Sequence, residues 1–176
     1  MLLVVLQLLA PAPGDRPTAT ELLARCELLQ GKRVLELGCG LGLVSMVLHD
    51  RGVDVTASDV HPLAEAFLER NCAINGLSRI PFRRLDWSRS YPDLEPFDVV
   101  VASDVLYEDG MVEDIVHFID AHTSDKARVF VSDPGRSSRR NAFTRQMEAM
   151  GWACEEWQFE SNVKGRIMTY WRHQTR

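Results

Sequence analysis

The sequence predicts an α/β fold, a three-layer sandwich in which helices cover both faces of a seven-stranded, mostly parallel sheet whose last strand runs antiparallel. Three observations predict it. Short β-rich runs alternate along the chain with segments of helical period, as strand-helix-strand units do. The run Phe97-Asp98-Val99-Val100-Val101-Ala102 is almost continuously apolar, which suits the buried centre of a parallel sheet. The last two β-rich runs have no strong helical pattern between them and are joined by Ser161-Asn162-Val163-Lys164-Gly165, a hairpin-turn composition that makes the final pair antiparallel.

Each element follows from local chemistry. A helix over 17–29 opens with Pro17, whose fixed φ suits a first turn. Arg33-Val34-Leu35-Glu36-Leu37 is a strand that runs into glycines, and apolar residues at helical spacing follow from Leu41 to His49. Val53-Asp54-Val55-Thr56-Ala57 alternates as a strand and Ser58-Asp59 supplies a stop. The helix over His61–Asn75 places Leu63, Ala66, Phe67 and Ala73 on one face. Further strands are expected at 80–84, 97–102, 127–132, 153–160 and 165–171, and further helices at 111–121 and 138–150, the latter ended by Gly151.

The chain has 176 residues and 19.9 kDa, which fits one domain, 1–176, with residues 1–16 as an amino-terminal segment. Hydrophobic residues make up 45% and charged residues 26%, which excludes a disordered, collagenous or coiled-coil chain. Twenty Lys+Arg against 25 Asp+Glu leave a net charge of −5, so there is no basic field to gather nucleic acid. Cys26, Cys39, Cys72 and Cys154 form no C-x-x-C pair or Cys/His cluster, so no metal site is expected and a reducing cytoplasm is the simpler setting. Nine of the first ten residues are apolar, yet no basic segment precedes them. The run is about half the ~20 residues needed to cross a bilayer. It reads as a buried strand or an edge covering the core sooner than as a secretion signal, and no membrane partner is expected.

Glu36-Leu37-Gly38-Cys39-Gly40-Leu41-Gly42 sits where a strand becomes a helix, the place where open α/β sheets bind ligands. Glycines there let a ligand approach the backbone. A dinucleotide fingerprint needs its third glycine at the position held by Leu43, and a phosphate loop needs a following Gly-Lys-Ser/Thr that is absent. What remains is a loop able to take a ligand with an amino-acid end, with Glu36 placed to pair with a cation. Plain chain geometry is the alternative. Asp59, at the end of the next strand and about 20 positions on, can accept two hydrogen bonds from a ribose diol, as the acid of nucleotide-binding units does. Its alternative is a helix N-cap before His61-Pro62.

The loop and Asp59 together resemble the seven-strand, Rossmann-like class of S-adenosylmethionine-dependent methyltransferases. Two further stretches, Leu85-Asp86-Trp87 and Ala102-Ser103-Asp104-Val105-Leu106-Tyr107, resemble the Asp-Trp and D/E-x-x-Y/F motifs of its protein-lysine methyltransferases, the group that includes the calmodulin, valosin-containing-protein and electron-transfer-flavoprotein lysine methyltransferases. The resemblance spans about residues 17–172. It implies that Glu36, Gly38, Cys39, Gly40 and Gly42 hold the methionine end of the cofactor and that Asp59, with Val60 beside it, holds the ribose. Asp86 would receive the adenine amino group and Trp87 would pack against the ring. Ala102 and Ser103 would line the cofactor, while Asp104 and Tyr107 would face the acceptor as the catalytic pair. Asp133-Pro134-Gly135-Arg136 is similar to a stretch of the electron-transfer-flavoprotein branch, and it also has turn composition. Where the family usually has an aromatic-Pro element before the first helix, this chain has Arg16-Pro17. The reaction implied is methylation of a lysine side chain of a protein substrate. A small-molecule amine, another residue type, or a catalytically weak cofactor-binding module are the alternatives. Nothing in the sequence bears on oligomeric state. His61, His117 and His122 read as solvated or capping residues.

Overall fold

The computed structural model of the chain describes residues 29–108, 110–135, 138–158 and 165–172. The apolar residues 1–10, residues 17–28 of the helix expected over 17–29, Arg16-Pro17, Cys26, Arg136 and the turn residues 161–164 lie outside them. Among the described residues seven strands form one sheet and four helices connect them. The elements are β1 (Arg33–Leu37), α1 (Leu43–Asp50), β2 (Asp54–Asp59), α2 (Ala64–Ile74), β3 (Phe82–Arg84), β4 (Phe97–Ser103), α3 (Met111–Ala121), β5 (Thr123–Asp133), α4 (Arg139–Ala149), β6 (Trp152–Gln158) and β7 (Arg166–Arg172). The strand order is β3-β2-β1-β4-β5-β7-β6. The sheet is mostly parallel, and β7 runs antiparallel to both β5 and β6. The chain divides into two compact units, one ending at Leu85 and the other beginning at Asp86.

In the first unit β1 pairs with β2 in parallel register, Leu37 opposite Ser58, so both strands finish at the same edge. Gly38, which follows β1, and Asp59, the last residue of β2, therefore lie side by side where the turns start. Val34, Leu35, Leu37, Val55 and Ala57 are buried, and α1 packs on β2 with Val44, Met46 and Leu48 inward. Helix α2 buries Ala64, Leu68 and Cys72, an i, i+4, i+8 stripe. The face expected from the sequence, Leu63, Ala66, Phe67 and Ala73, points outward instead, with Leu63 and Phe67 53% and 44% exposed. The reason is size: the small residues at 64 and 72 flank Leu68 where α2 meets its neighbours, and bulkier groups fall on the open side.

In the second unit β4 pairs with β5 in parallel, and Val99, Val100, Val101, Val129 and Val131 are buried. Strand β5 starts four residues earlier than its apolar run suggests. Phe97 already pairs with Thr123, and the register then shifts before Val99. Helix α3 turns Val112, Ile115, Val116, Phe118 and Ile119 inward. At about 1.5–3 kcal/mol for each fully buried large side chain, this stripe is the chief reason the segment stays helical. Helix α4 contributes Phe143 and Met147, and Phe143 meets the Tyr170 ring edge-on at 5.4 Å between centroids.

Candidate active site

The glycine loop gets its shape from backbone that ordinary residues avoid. Gly38, Gly40 and Gly42 have φ of 65°, 53° and 79°, in the left-handed region where a Cβ costs about 1–2 kcal/mol. The Cys39 N–H donates to the Ser58 carbonyl at 2.8 Å, which carries the β1–β2 ladder one step beyond the strand. Gly42 then caps α1 without a side-chain bond. The three glycines differ in surroundings. A Cβ on Gly42 would lie 2.2 Å from Leu68 Cδ1, so this glycine seats the loop on α2, whereas a Cβ on Gly40 would meet nothing within 4 Å.

Asp59 ends β2 and holds the loop from the side. One carboxylate oxygen accepts the Gly40 N–H at 2.9 Å and the other accepts the His61 N–H at 2.8 Å. The second contact is an Asx-type turn and not the helix N-cap weighed as the alternative, because α2 begins after Leu63, which caps it without a side-chain bond. The first joins the carboxylate to the glycine loop. Val60 is exposed beside it. His61 accepts the Leu63 N–H at Nδ1 at 3.2 Å, a local bond within the turn that precedes α2.

Glu36 lies beneath the loop with 3% of its surface exposed. Burial pushes its carboxyl up to about 7, two hydrogen bonds from Ser45 pull the other way, and the Asp59 charge adds to the rise. Ser45 lies in the first turn of α1, whose N–H groups have no partner inside the helix. Its N–H donates to Glu36 Oε2 at 2.9 Å and its hydroxyl donates to the same oxygen. Cys39 is buried next to both carboxylates and burial pushes its thiol far up, which makes it a packing group and not a nucleophile.

In the second unit Asp86 and Trp87 form a tight turn after Leu85. Asp86 Oδ1 accepts the N–H and the hydroxyl of Ser88, at 3.1 and 2.7 Å, and Arg89 stands 3.3 Å from Oδ2. These Ser88 bonds, more than the Arg89 charge, hold the Asp86 carboxyl below its ordinary value. The indole Nε1 of Trp87 is buried and has no hydrogen-bond partner among the described residues.

At the end of β4, Ala102 is buried and Ser103 accepts the Ser132 hydroxyl at 2.9 Å. Asp104 follows with φ 58°, and among the described residues no other residue besides glycine has positive φ. Its N–H donates to the Ser132 carbonyl at 2.9 Å, so the left-handed turn is pinned to β5. Val105 and Leu106 are buried and Tyr107 is 55% exposed. Anchored at 105 and 106, the chain presents Asp104 and Tyr107 on either side of a fixed segment. A non-glycine residue kept in this conformation costs of order 1–3 kcal/mol, and the surrounding buried residues and the bond to Ser132 hold it there.

The structure thus gathers Glu36, Gly38, Cys39, Gly40, Gly42, Asp59 and Val60 at the carboxyl edge of β1 and β2. It places Asp86 and Trp87 on one turn, and Ala102, Ser103, Asp104 and Tyr107 along the end of β4. Asp133 accepts the Gly135 N–H at 2.7 Å, the turn its composition predicts. His122 is buried and its Nδ1–H donates to the Phe118 carbonyl at 2.8 Å, so it caps α3. Sequence reasoning missed Ser45 and Tyr91. For Ser45 a signal existed: it is the polar residue of Leu43-Val44-Ser45-Met46, at the helix start after an acidic strand end. For Tyr91, whose hydroxyl accepts the Asp86 N–H at 2.7 Å, no spacing rule points to the contact.

A family model described as lysine methyltransferase matches residues 17–150. The electron transfer flavoprotein beta subunit lysine methyltransferase of Danio rerio is 28% identical over 127 residues, which are 71% of this chain and 48% of that protein. The histone-arginine methyltransferase METTL23 of Xenopus laevis is 34% identical over 93 residues, 50% of this chain and 40% of that protein. The chain spans about half the length of the curated relatives it matches. Among solved structures, a TehB-like SAM-dependent methyltransferase from Corynebacterium glutamicum superposes with a TM-score of 0.67 at 17% identity, over 86% of this chain and 87% of that one, a likeness of fold.

Proposed function

The chain belongs to the lysine methyltransferase family, and from that premise we propose that it is an S-adenosylmethionine-dependent methyltransferase acting on a lysine side chain of a protein. The observation that carries this is the junction of Gly40 and Asp59: an open left-handed glycine whose N–H is held by a carboxylate at the end of the neighbouring strand. Such a pairing fits a ligand with an amino-acid end beside a ribose. The uncrowded backbone at Gly40 admits the first, and Asp59, with two lone pairs on each oxygen, has capacity for a diol beyond its two backbone donors. Glu36, buried beneath the loop, is assigned to the same amino-acid end: an ammonium group above it would favour the ionised form against the neutral form that burial favours. We assign Gly38, Cys39, Gly42 and Val60 to the same half of the cofactor, Asp86 and Trp87 to adenine, and Ala102 and Ser103 to the lining.

When bound, the cofactor supplies an electrophilic methyl group on a sulfonium. The protein's part is to bring a neutral amine in line with it, and positioning accounts for most of the rate. A free lysine has a pKa near 10.4, so the acceptor arrives as an ammonium and must lose a proton. The Asp104 carboxylate attracts the ammonium, which favours the charged form. Once the proton has left to water, it accepts an N–H of the neutral amine and fixes the direction of the lone pair. Its pinned backbone keeps that acceptor from turning away. The half-exposed ring of Tyr107 shapes the entry for a long, flexible side chain.

Incubation with radiolabelled cofactor and cell extract, followed by gel separation and mass spectrometry of the labelled band, tests this. A discrete protein band carrying methyl-lysine is the expected result. Methyl-arginine, the residue type in the name of the Xenopus relative, would overturn the acceptor. Label confined to small molecules would overturn the protein substrate, and cofactor binding without transfer would overturn the activity.

A further inference from the structure

We propose that Tyr91 is the positioning residue of the adenine subsite: by holding the Asp86 N–H it aims the Asp86 carboxylate at the exocyclic amino group of the base and so sets the preference for adenine. This role rests on the assignment of Asp86 to adenine made above. The Asp86–Arg89 turn is otherwise closed on itself. Arg89 N–H donates to the Asp86 carbonyl at 3.0 Å, Ser88 donates twice to Oδ1, and Arg89 faces Oδ2. Among the described residues, the remaining hydrogen bond of Asp86 is its N–H to the Tyr91 hydroxyl at 2.7 Å.

Tyr91 can act as an anchor because its ring is itself braced. It meets Phe118 edge-on, 6.1 Å between centroids at 72°, and lies 6.3 Å from the His122 ring. Phe118 and His122 are stacked at 4.3 Å and both are buried at the carboxyl end of α3. A further bond from the Leu94 N–H to the Tyr91 carbonyl, at 2.9 Å, fixes the residue's own backbone. A self-contained turn is thereby tied to a packed helix through one hydroxyl. A hydrogen bond to a carboxylate discriminates by direction as well as distance, so rotating the turn weakens it while leaving the ring contacts of the base in place.

Tyr91→Phe keeps the ring and removes the tie. Titration calorimetry with S-adenosylhomocysteine and with its deaminated analogue, S-inosylhomocysteine, separates aiming from general packing. The wild type should prefer the adenine ligand by roughly 10-fold or more, as expected for one bond to a charged acceptor. In Tyr91→Phe the affinity for the adenine ligand should fall about 5–10-fold and that for the analogue less than about 2-fold, so the preference largely disappears. If the wild type prefers adenine and the variant keeps the same ratio, including by weakening both ligands equally, Tyr91 does not aim Asp86 and the proposal is overturned while the cofactor assignment stands. If the wild type binds neither ligand, or binds both alike, the assignment of Asp86 fails and the role of Tyr91 fails with it.

Discussion

One carboxylate oxygen of Glu36 receives both the backbone N–H and the hydroxyl of Ser45, nine residues later in the chain. The pair joins the end of β1 to the first turn of α1 and spans the glycine loop from below. It leaves a carboxyl group in the core whose ordinary value of 4.5 is pushed up to about 7, chiefly by burial. The folded protein therefore binds the Glu36 proton more tightly than the unfolded chain does. Stability from this group is fully present below about pH 4.5 and is lost as pH rises through 7. A difference of this size corresponds to about 3 kcal/mol. Glu36→Gln, which keeps an acceptor for Ser45, should remove that loss. Urea midpoints at pH 5 and pH 8 should converge in the variant, and equal pH dependence in both proteins would mean that Glu36 is ionised throughout.

Gly40 and Gly42 share a left-handed backbone but should respond differently to one methyl group. Gly42→Ala drives a Cβ against Leu68, so it should cost about 2 kcal/mol in stability or more, part of which a second change, Leu68→Ala, should relieve. Gly40→Ala bears the backbone cost of about 1 kcal/mol alone, because its Cβ points into open space. That space is where the ligand backbone is proposed to lie, so cofactor affinity should fall at least 10-fold in a protein that still melts cooperatively. Calorimetric binding of Gly40→Ala at wild-type strength would take the loop out of the site.

How far the sequence discloses this arrangement depends on the kind of interaction. The glycine loop is legible because positive φ has a residue signature, and the strand-end position of Asp59 is legible because β2 alternates. Strand β4 and helix α3 are legible from apolar runs and period. The burial face of α2 is not: hydrophobicity alone favours Leu63 and Phe67, whereas the space available selects Ala64, Leu68 and Cys72. The polar start of β5, Thr123-Ser124-Asp125-Lys126, carries no strand signal, since its pairing is set by register with Phe97. Tyr91 is illegible because its contact depends on where α3 brings Phe118 and His122.

Asp59 should have two separable costs. Removing the carboxylate in Asp59→Ala leaves the Gly40 and His61 N–H groups without their acceptor and should lower stability by about 1–2 kcal/mol. If the same oxygens also receive a ribose diol, cofactor affinity should fall by a further 2–4 kcal/mol, on the order of 30-fold or more. Thermal melts and calorimetry on the one variant measure both. A loss of stability with unchanged affinity would assign Asp59 to the turn alone.

Asp104 offers the sharpest separation of holding from catalysis. Its φ of 58° is one that Asn adopts as readily as Asp, and the N–H that pins it to Ser132 belongs to the backbone. Asp104→Asn should therefore fold as the wild type does and bind cofactor with near-normal affinity. Turnover should nevertheless fall roughly 100-fold or more, because an amide offers one neutral acceptor where the acceptor amine needs a charged one, and a lost transition-state interaction of about 3 kcal/mol has that effect on rate. Asp104→Gly extends the test. Relieving the left-handed strain should offset the entropy of a more flexible unfolded chain and leave stability within about 1 kcal/mol of wild type or above it, while activity is lost just as fully. Tyr107→Phe should cost little if the ring shapes the entry and as much as Asp104→Asn if the hydroxyl bonds the amine. Initial rates on the protein band found with labelled cofactor, set beside binding constants for each variant, decide among these. An Asp104→Asn protein that transfers methyl groups at the wild-type rate would move the catalytic centre away from the end of β4.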